Sequence, residues 1–387
     1  MPTVNVKIQP TIINWALSQT KEEKLGAKLM KNIEQWLSGT KCPTFRQVED
    51  FSRRSNIPLG YFFLQTPPEE QIKLLEYRTI DSIRLTEPSR DLIDTIHEME
   101  SVQQWMHDYR KEAGYELCSY LGCVKNIRQE GIIAERIRSD LGLETEWYKD
   151  CNDRADAFLR IKNFLSECGI IVMMNGVAGK NTHRALDLNE FRAFAMTDDL
   201  APLIFINAAD SWGGRLFSLF HETVHIWFGE NDLYNDLRGL VVEGKDVEKV
   251  CNAVAAELMV PDKVFLKKWD ENEQQDISFK TKDLAKYFLC SESVIARKAL
   301  DNKRINKIIY DEIVEEAIEA FGRLKQEKAS GGNYYSTAQS RLDKVFVRSL
   351  CDSINSGRTS YTEAYRLTNT TGKTFFEVAS RLGGVLW

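Results

Sequence analysis

The stretch RLFSLFHETVHIWFGE, residues 215–230, constrains this chain more than any other. Leu216, Phe217, Leu219, Phe220, Val224, Ile226 and Trp227 give it the composition of a helix built for burial. Yet His221, Glu222 and His225 stand in its middle. An unpartnered histidine pair in so apolar a setting would be costly. On a helix, residues four apart lie on one face, one turn from each other. Both imidazoles can therefore bind one metal ion, and Glu222 leans beside that ion.

His-Glu-x-x-His in this setting is the zinc metallopeptidase pattern, in which the glutamate takes a proton from metal-bound water. The chain has only five histidines, so a chance match is roughly a one-in-a-hundred event. A catalytic zinc needs a third protein ligand and an open position for water. The downstream acids are Glu243, Asp246, Glu248 and Glu257. Glu248 and Glu257 lie on or beside a helix read in DVEKVCNAVAAELMVP and ended by Pro261. They are nine residues apart and face opposite sides of it, so only one can meet the metal. Asn252 lies one turn after Glu248 and is a polar candidate for a supporting contact.

The surroundings read as α+β, mostly α. Two helices end at Gly142 and Gly169. Three strands follow, IIVMM (170–174), FRAFAM (191–196) and PLIFIN (202–207), and then two more helices. This gives a peptidase domain over 126–262 with a small three-stranded sheet. Residues 1–68 read as short helices on a helix-turn-helix plan, with Pro43 opening the fourth. Residues 1–66 hold nine Lys/Arg against five Asp/Glu, a mild sign of a nucleic-acid-facing surface. The whole chain, at net charge −6, is not a basic nucleic-acid binder. Residues 69–125 form a helical connector, with Leu92, Ile96, Met99 and Val102 in helical spacing, and TPPEEQ (66–71) marks the boundary. Residues 263–387 are read as helical, with a weaker helix-turn-helix at 283–303 and a mobile linker in KQEKASGGN (325–333). Eight scattered cysteines without a Cys-x-x-Cys pair fit reduced thiols in a cytoplasmic protein. No signal pattern and no apolar run of about 20 residues point to a membrane.

FHETVHIWFG followed by EKVCNAVAAELMVP resembles the ImmA/IrrE family of metallo-endopeptidases. EFRAFAM and APLIFIN carry the resemblance across 126–262. It implies a zincin-like core with Zn2+ held by His221, His225 and Glu248, the last opening the family's E-x-x-[AC]-N-x-x-A-A-x-x-x-x-P segment. Cys251 stands where alanine is more usual, and Glu257 is left as a salt-bridge partner. Glu222 would take the proton from water and pass it to the leaving amine. The FRAFAM strand would pair with an extended peptide at a sheet edge. His183, Arg192 and Tyr234 are candidates to stabilise the oxyanion.

The N-terminal spacing resembles the Xre/lambda-repressor-like family through Leu25 and Ala27, Ile33 and Trp36, Ser38-Gly39 and Pro43-Thr44. Its first helix departs from that family, and no arginine or glutamine row occupies the recognition position. Together the resemblances imply a zinc endopeptidase fused to a DNA-binding-type module (residues 10–66) and able to form a homodimer. Its substrate would be a repressor or toxin-like partner, in a regulatory circuit of a mobile element or toxin–antitoxin locus. The alternative is an antitoxin-like transcriptional regulator that acts mainly by binding a toxin and DNA. A zinc hydrolase of small molecules ranks lower, because no phosphate-cradling glycine loop or other cofactor motif is present.

Overall fold

The computed structural model describes residues 4–20, 22–68, 88–234, 246–271, 275–327 and 334–386. Described residues up to Ile96 form one compact unit, and those from His97 onward form another.

The first unit begins with α1 (Pro10–Ser18), α2 (Glu22–Leu25), α3 (Ala27–Leu37) and α4 (Phe45–Ser55). Ile12, Ala16, Leu25, Ile33, Trp36, Val48, Phe51 and Phe62 form its core. Gly26, at φ +76°, turns the chain between α2 and α3, a conformation that side chains resist. Pro43 does not open α4. It precedes the N-cap Thr44, whose hydroxyl accepts the Gln47 N–H while the Gln47 side chain accepts the Thr44 N–H.

Helix α5 (Arg90–Glu112) runs across the division between the units. Beyond it lie α6 (Glu130–Leu141), α7 (Arg154–Glu167), β1 (Ile171–Asn175), β2 (Ala193–Met196) and β3 (Leu203–Asn207). Then come α8 (Trp212–Phe228), β4 (Asp232–Tyr234), α9 (Asp246–Met259) and α10 (Asp262–Glu271). Helices α11 (Ile277–Tyr287), α12 (Glu292–Asp301), α13 (Lys307–Glu327), α14 (Tyr334–Arg341), α15 (Lys344–Asn355), α16 (Tyr361–Leu367) and α17 (Gly372–Arg381) complete the described chain. The described residues are thus mostly helical, with one small mixed sheet. No helix among the described residues is long and apolar enough to cross a membrane.

The sheet has four strands, in the order β1-β3-β2-β4, where three were expected. Strands β1 and β3 are parallel, and β2 runs antiparallel to both β3 and β4. Strand β4 has three residues, too few for any alternation to show in sequence. One apolar core runs from Tyr120 to Val314 and includes Trp147, Phe158, Phe220, Trp227 and Leu258. Leu284, Phe288, Ile295 and Ala299 join it, so α11 and α12 are a wall of this core rather than a separate helix-turn-helix module. Residues 325–327 close α13 instead of opening a linker. The rest of that stretch, 328–333, lies outside the described residues, as do 69–87 of the connector.

The C-terminal helices are tied to the sheet. The buried Lys162 ammonium on α7 donates to the carbonyls of Ser340 and Leu342 at 3.0 and 2.8 Å. Burial pulls its pKa down to about 8. Asp343 caps α15 by accepting the Phe346 N–H, and it also accepts the Val172 N–H from the outer edge of β1. Losing a cap costs about 1 kcal/mol. Stranding a buried N–H costs about 1–3 kcal/mol more. Asp343→Ala is therefore expected to lower unfolding stability by about 2–4 kcal/mol in a urea titration. A loss below 1 kcal/mol would mean that the Val172 contact contributes nothing.

Candidate metal centre

Helix α8 is fixed at both ends. Ser211 caps its start by accepting the Gly214 N–H at 3.1 Å. Gly229 ends it in the left-handed conformation at φ +72°. A Cβ on Gly229 would also meet the Gly122 Cα at 3.0 Å, so no side chain fits there without a shift. Trp227 anchors the helix to α6 by donating its indole N–H to Asp140 at 2.8 Å, and it stacks on Tyr120. With these residues turned into the core, His221 and His225 face β4 and α9.

The two Nε2 atoms are 3.1 Å apart. Helix α9 brings the Glu248 Oε2 to 3.4 Å from His221 Nε2 and 3.6 Å from His225 Nε2. Strand β4 brings the Asp232 Oδ2 to 3.7 and 3.6 Å from the same atoms. One donor atom from each of these four residues lies within 4.8 Å of the others, and all four residues are buried. Both Nδ1 atoms, both Glu222 carboxylate oxygens and the Asp232 Oδ2 are buried without a hydrogen-bond partner. Two imidazoles and two carboxylates converging in a dry pocket are a donor set that suits zinc.

Sequence reasoning pointed to His221, Glu222, His225 and Glu248, and the structure gathers all four. It missed Asp232, which comes from a three-residue strand with no motif around it. Glu257 lies elsewhere, accepting a hydrogen bond from Lys298 at 2.6 Å and the Asp262 N–H. Glu243 lies outside the described residues, and Asp246 opens α9. Asn252 is half-buried, with its Oδ1 unpartnered. Of the oxyanion candidates, His183 is exposed on the loop before β2, and Arg192 is paired with Asp210 at 3.1 Å. The Tyr234 ring lies against His221, with centroids 4.1 Å apart. The edge of β2 expected to receive a peptide is already paired with β4.

The electrostatics follow from burial and charge. Burial alone would strip the proton from His221, but the Asp232 and Glu248 carboxylates outweigh it and raise its pKa to about 10. Burial likewise opposes charge on His225, and Cys251, Asp232 and Glu248 overcome it, so its pKa is raised well above the usual value. Burial would raise Glu248, yet the two histidines hold it far below the carboxylate range. Glu222 is raised well above that range, first by burial and then by the charge of Asp232.

A histidine must lose its proton before it can ligate a metal. Zinc loading of the metal-free protein is therefore expected to release protons at neutral pH and to tighten as pH rises toward 10. Calorimetric titrations in two buffers of different ionisation enthalpy read that release; identical heats would contradict it. For the metal-free fold the sign is opposite. A histidine pKa raised above its unfolded value of about 6.5 stabilises fully below that pH and loses its contribution as pH climbs through the folded value.

A helix bearing His-Glu-x-x-His, with an acid from the next helix beside it, matches the metallopeptidase pattern. Residues 167–300 match the Peptidase_M78 family model, described as the IrrE N-terminal-like domain, which supports the ImmA/IrrE peptidase family for this part of the chain. The match contains all five side chains of the centre and continues through most of α12. A second model, a domain of unknown function (DUF8813), matches residues 342–381, covering all of α15, α16 and α17. No curated protein and no solved structure matches the chain.

Proposed function

We propose that this chain is a zinc-dependent endopeptidase fused to a DNA-binding-type module. It acts in the cytoplasm on a repressor or toxin-like partner, within a regulatory circuit of a mobile element or toxin–antitoxin locus. The observation that carries the reading is Glu222, a buried carboxylate with neither oxygen engaged, set beside two histidines and an acid able to hold zinc. His221, His225 and Glu248 are the proposed ligands. Zinc supplies Lewis acidity and brings the ionisation of water close to neutral pH.

The remaining work falls to the chain. Glu222 takes the proton of the attacking water on a carboxylate oxygen and delivers it to the leaving amine. A carboxyl whose pKa is raised is suited to holding a proton between those two steps. Of the three oxyanion candidates, Tyr234 is the one whose ring lies against a proposed ligand, His221, in the described conformation. Leu216, Phe220 and Val224 exclude water and keep the helix face rigid. The excess of lysine and arginine in residues 1–66 supports the DNA-facing reading of the first unit, which as a repressor-like module also suits a homodimer.

Tagged wild type and tagged Glu222→Gln, each recovered from the native host and analysed by mass spectrometry, test this reading. The variant should retain a full-length protein that appears only as fragments with wild type. If both retain the same intact partner, the chain acts as an antitoxin-like regulator that works by binding.

A further inference from the structure

Strand β4 places Asp232 where an active zinc peptidase keeps an opening. Four donors about 2.0–2.1 Å from one ion at tetrahedral angles stand about 3.3 Å from one another. Asp232 Oδ2, at 3.6–3.7 Å from both histidine nitrogens, has nearly the same spacing from them as Glu248 Oε2 at 3.4–3.6 Å. At these distances it makes no hydrogen bond, and it is buried and otherwise unpartnered. The group therefore offers four protein donors, all within 4.8 Å of one another. Four donors make a closed structural site, whereas catalysis needs three and a vacancy.

The strand carrying this carboxylate occupies a second functional position. Ala193, Phe194 and Ala195 of β2 pair antiparallel with Tyr234, Leu233 and Asp232. The Arg192 N–H donates to the Tyr234 carbonyl at 2.8 Å. That ladder is the one an extended peptide would make by adding a strand to β2 beside the metal. One short segment thus fills both the strand edge and the fourth ligand position.

We propose that β4 is an internal pseudosubstrate: Asp232 is the fourth metal ligand, and its strand holds the peptide-pairing edge of β2, so the described conformation is latent. The proposal rests on the peptidase reading for what is being blocked. Among the four donors, Asp232 is the one built to leave. It sits on a three-residue edge strand, whereas Glu248 sits on a fourteen-residue helix packed against α6 and α8. No covalent bond is made or broken in the switch; the Asp232 carboxylate would give up its place on the ion, and the β2–β4 backbone hydrogen bonds would open.

The test uses the full chain loaded with Co2+ or Zn2+, as wild type, Asp232→Ala and Asp232→Asn, with circular dichroism confirming the fold of each. Acetohydroxamate, a small bidentate chelator, probes for a vacancy. The Co2+ absorption of wild type should ignore millimolar acetohydroxamate, while that of Asp232→Ala should shift. Competition with a chromophoric chelator should show a zinc affinity at least about 10–100-fold weaker in the Ala variant, since losing even a group that only supports a ligand costs that much. Asp232→Asn should fall between the two. A wild-type spectrum that shifts with acetohydroxamate as readily as that of Asp232→Ala, with equal zinc affinities, overturns the proposal. Fluorescent casein separates the two readings. Cleavage at least tenfold faster in Asp232→Ala supports both. Faster binding of acetohydroxamate without any casein cleavage leaves Asp232 a ligand but removes the pseudosubstrate role. Equal casein cleavage by wild type and Asp232→Ala refutes latency while leaving the peptidase intact.

Discussion

Glu222→Gln is expected to bind zinc as tightly as wild type and to cleave its substrate about 10²–10⁴-fold more slowly, the range that general acid–base groups contribute. The exchange is nearly isosteric, so the buried site keeps its shape. What it removes is the ability to accept a proton. Glu222 donates no atom to the group of four that could hold the metal, which is why affinity and rate should part company. Its two oxygens have no hydrogen-bond partner, so the amide breaks no existing network. Zinc content by mass spectrometry of the purified variant, set beside single-turnover rates, reads both quantities. A variant that loses zinc would make Glu222 a structural member of the site. One that cuts at the wild-type rate would assign the proton to another group.

The second large effect is on stability. Trp227 is fully buried, stacks on Tyr120 with centroids 4.6 Å apart, and donates to Asp140 at 2.8 Å. Truncating a buried aromatic to alanine costs about 3–5 kcal/mol, and the lost stack and indole hydrogen bond place this residue in the upper part of that range. Trp227→Ala should therefore lower the urea midpoint sharply in the metal-free chain. Because zinc binds only the folded centre, saturating metal should restore part of the loss, about 4 kcal/mol at a thousandfold excess over Kd. If the unfolding free energy falls by less than about 1 kcal/mol, α8 is held by its other contacts and the Trp227 anchor is dispensable.

Much of this centre was legible because its parts obey local rules. His221 and His225 share a helix face by spacing alone, and Glu222 follows by one position. Glu248 needed more, since two acids on α9 faced opposite ways and the resemblance singled one out. The structure puts Glu248 against the histidines and ties Glu257 to Lys298. Asp232 was beyond reach for a physical reason. It enters the centre through β4, a strand that exists because β2 offers it an edge, and that pairing is tertiary rather than local. The same cause hid the fourth strand and made α11 and α12 look like a separate module. Their apolar residues have helical spacing whether they face a small core of their own or the large one they join. In the first unit Pro43 and Thr44 are both helix-opening residues, and only the geometry shows that Thr44 is the cap.

The sheet has one further property. Asp343 takes one N–H on the outer side of β1, and β4 pairs along the outer side of β2, so β2 presents no free row of backbone donors and acceptors there. Open sheet edges are the places where proteins join strand to strand with their own copies. Any state that frees β2 to grip a peptide also makes it adhesive toward another molecule of the same chain. Keeping β4 in place is therefore a solubility measure as well as a restraint on the metal. Self-association at high concentration should accompany whatever releases it.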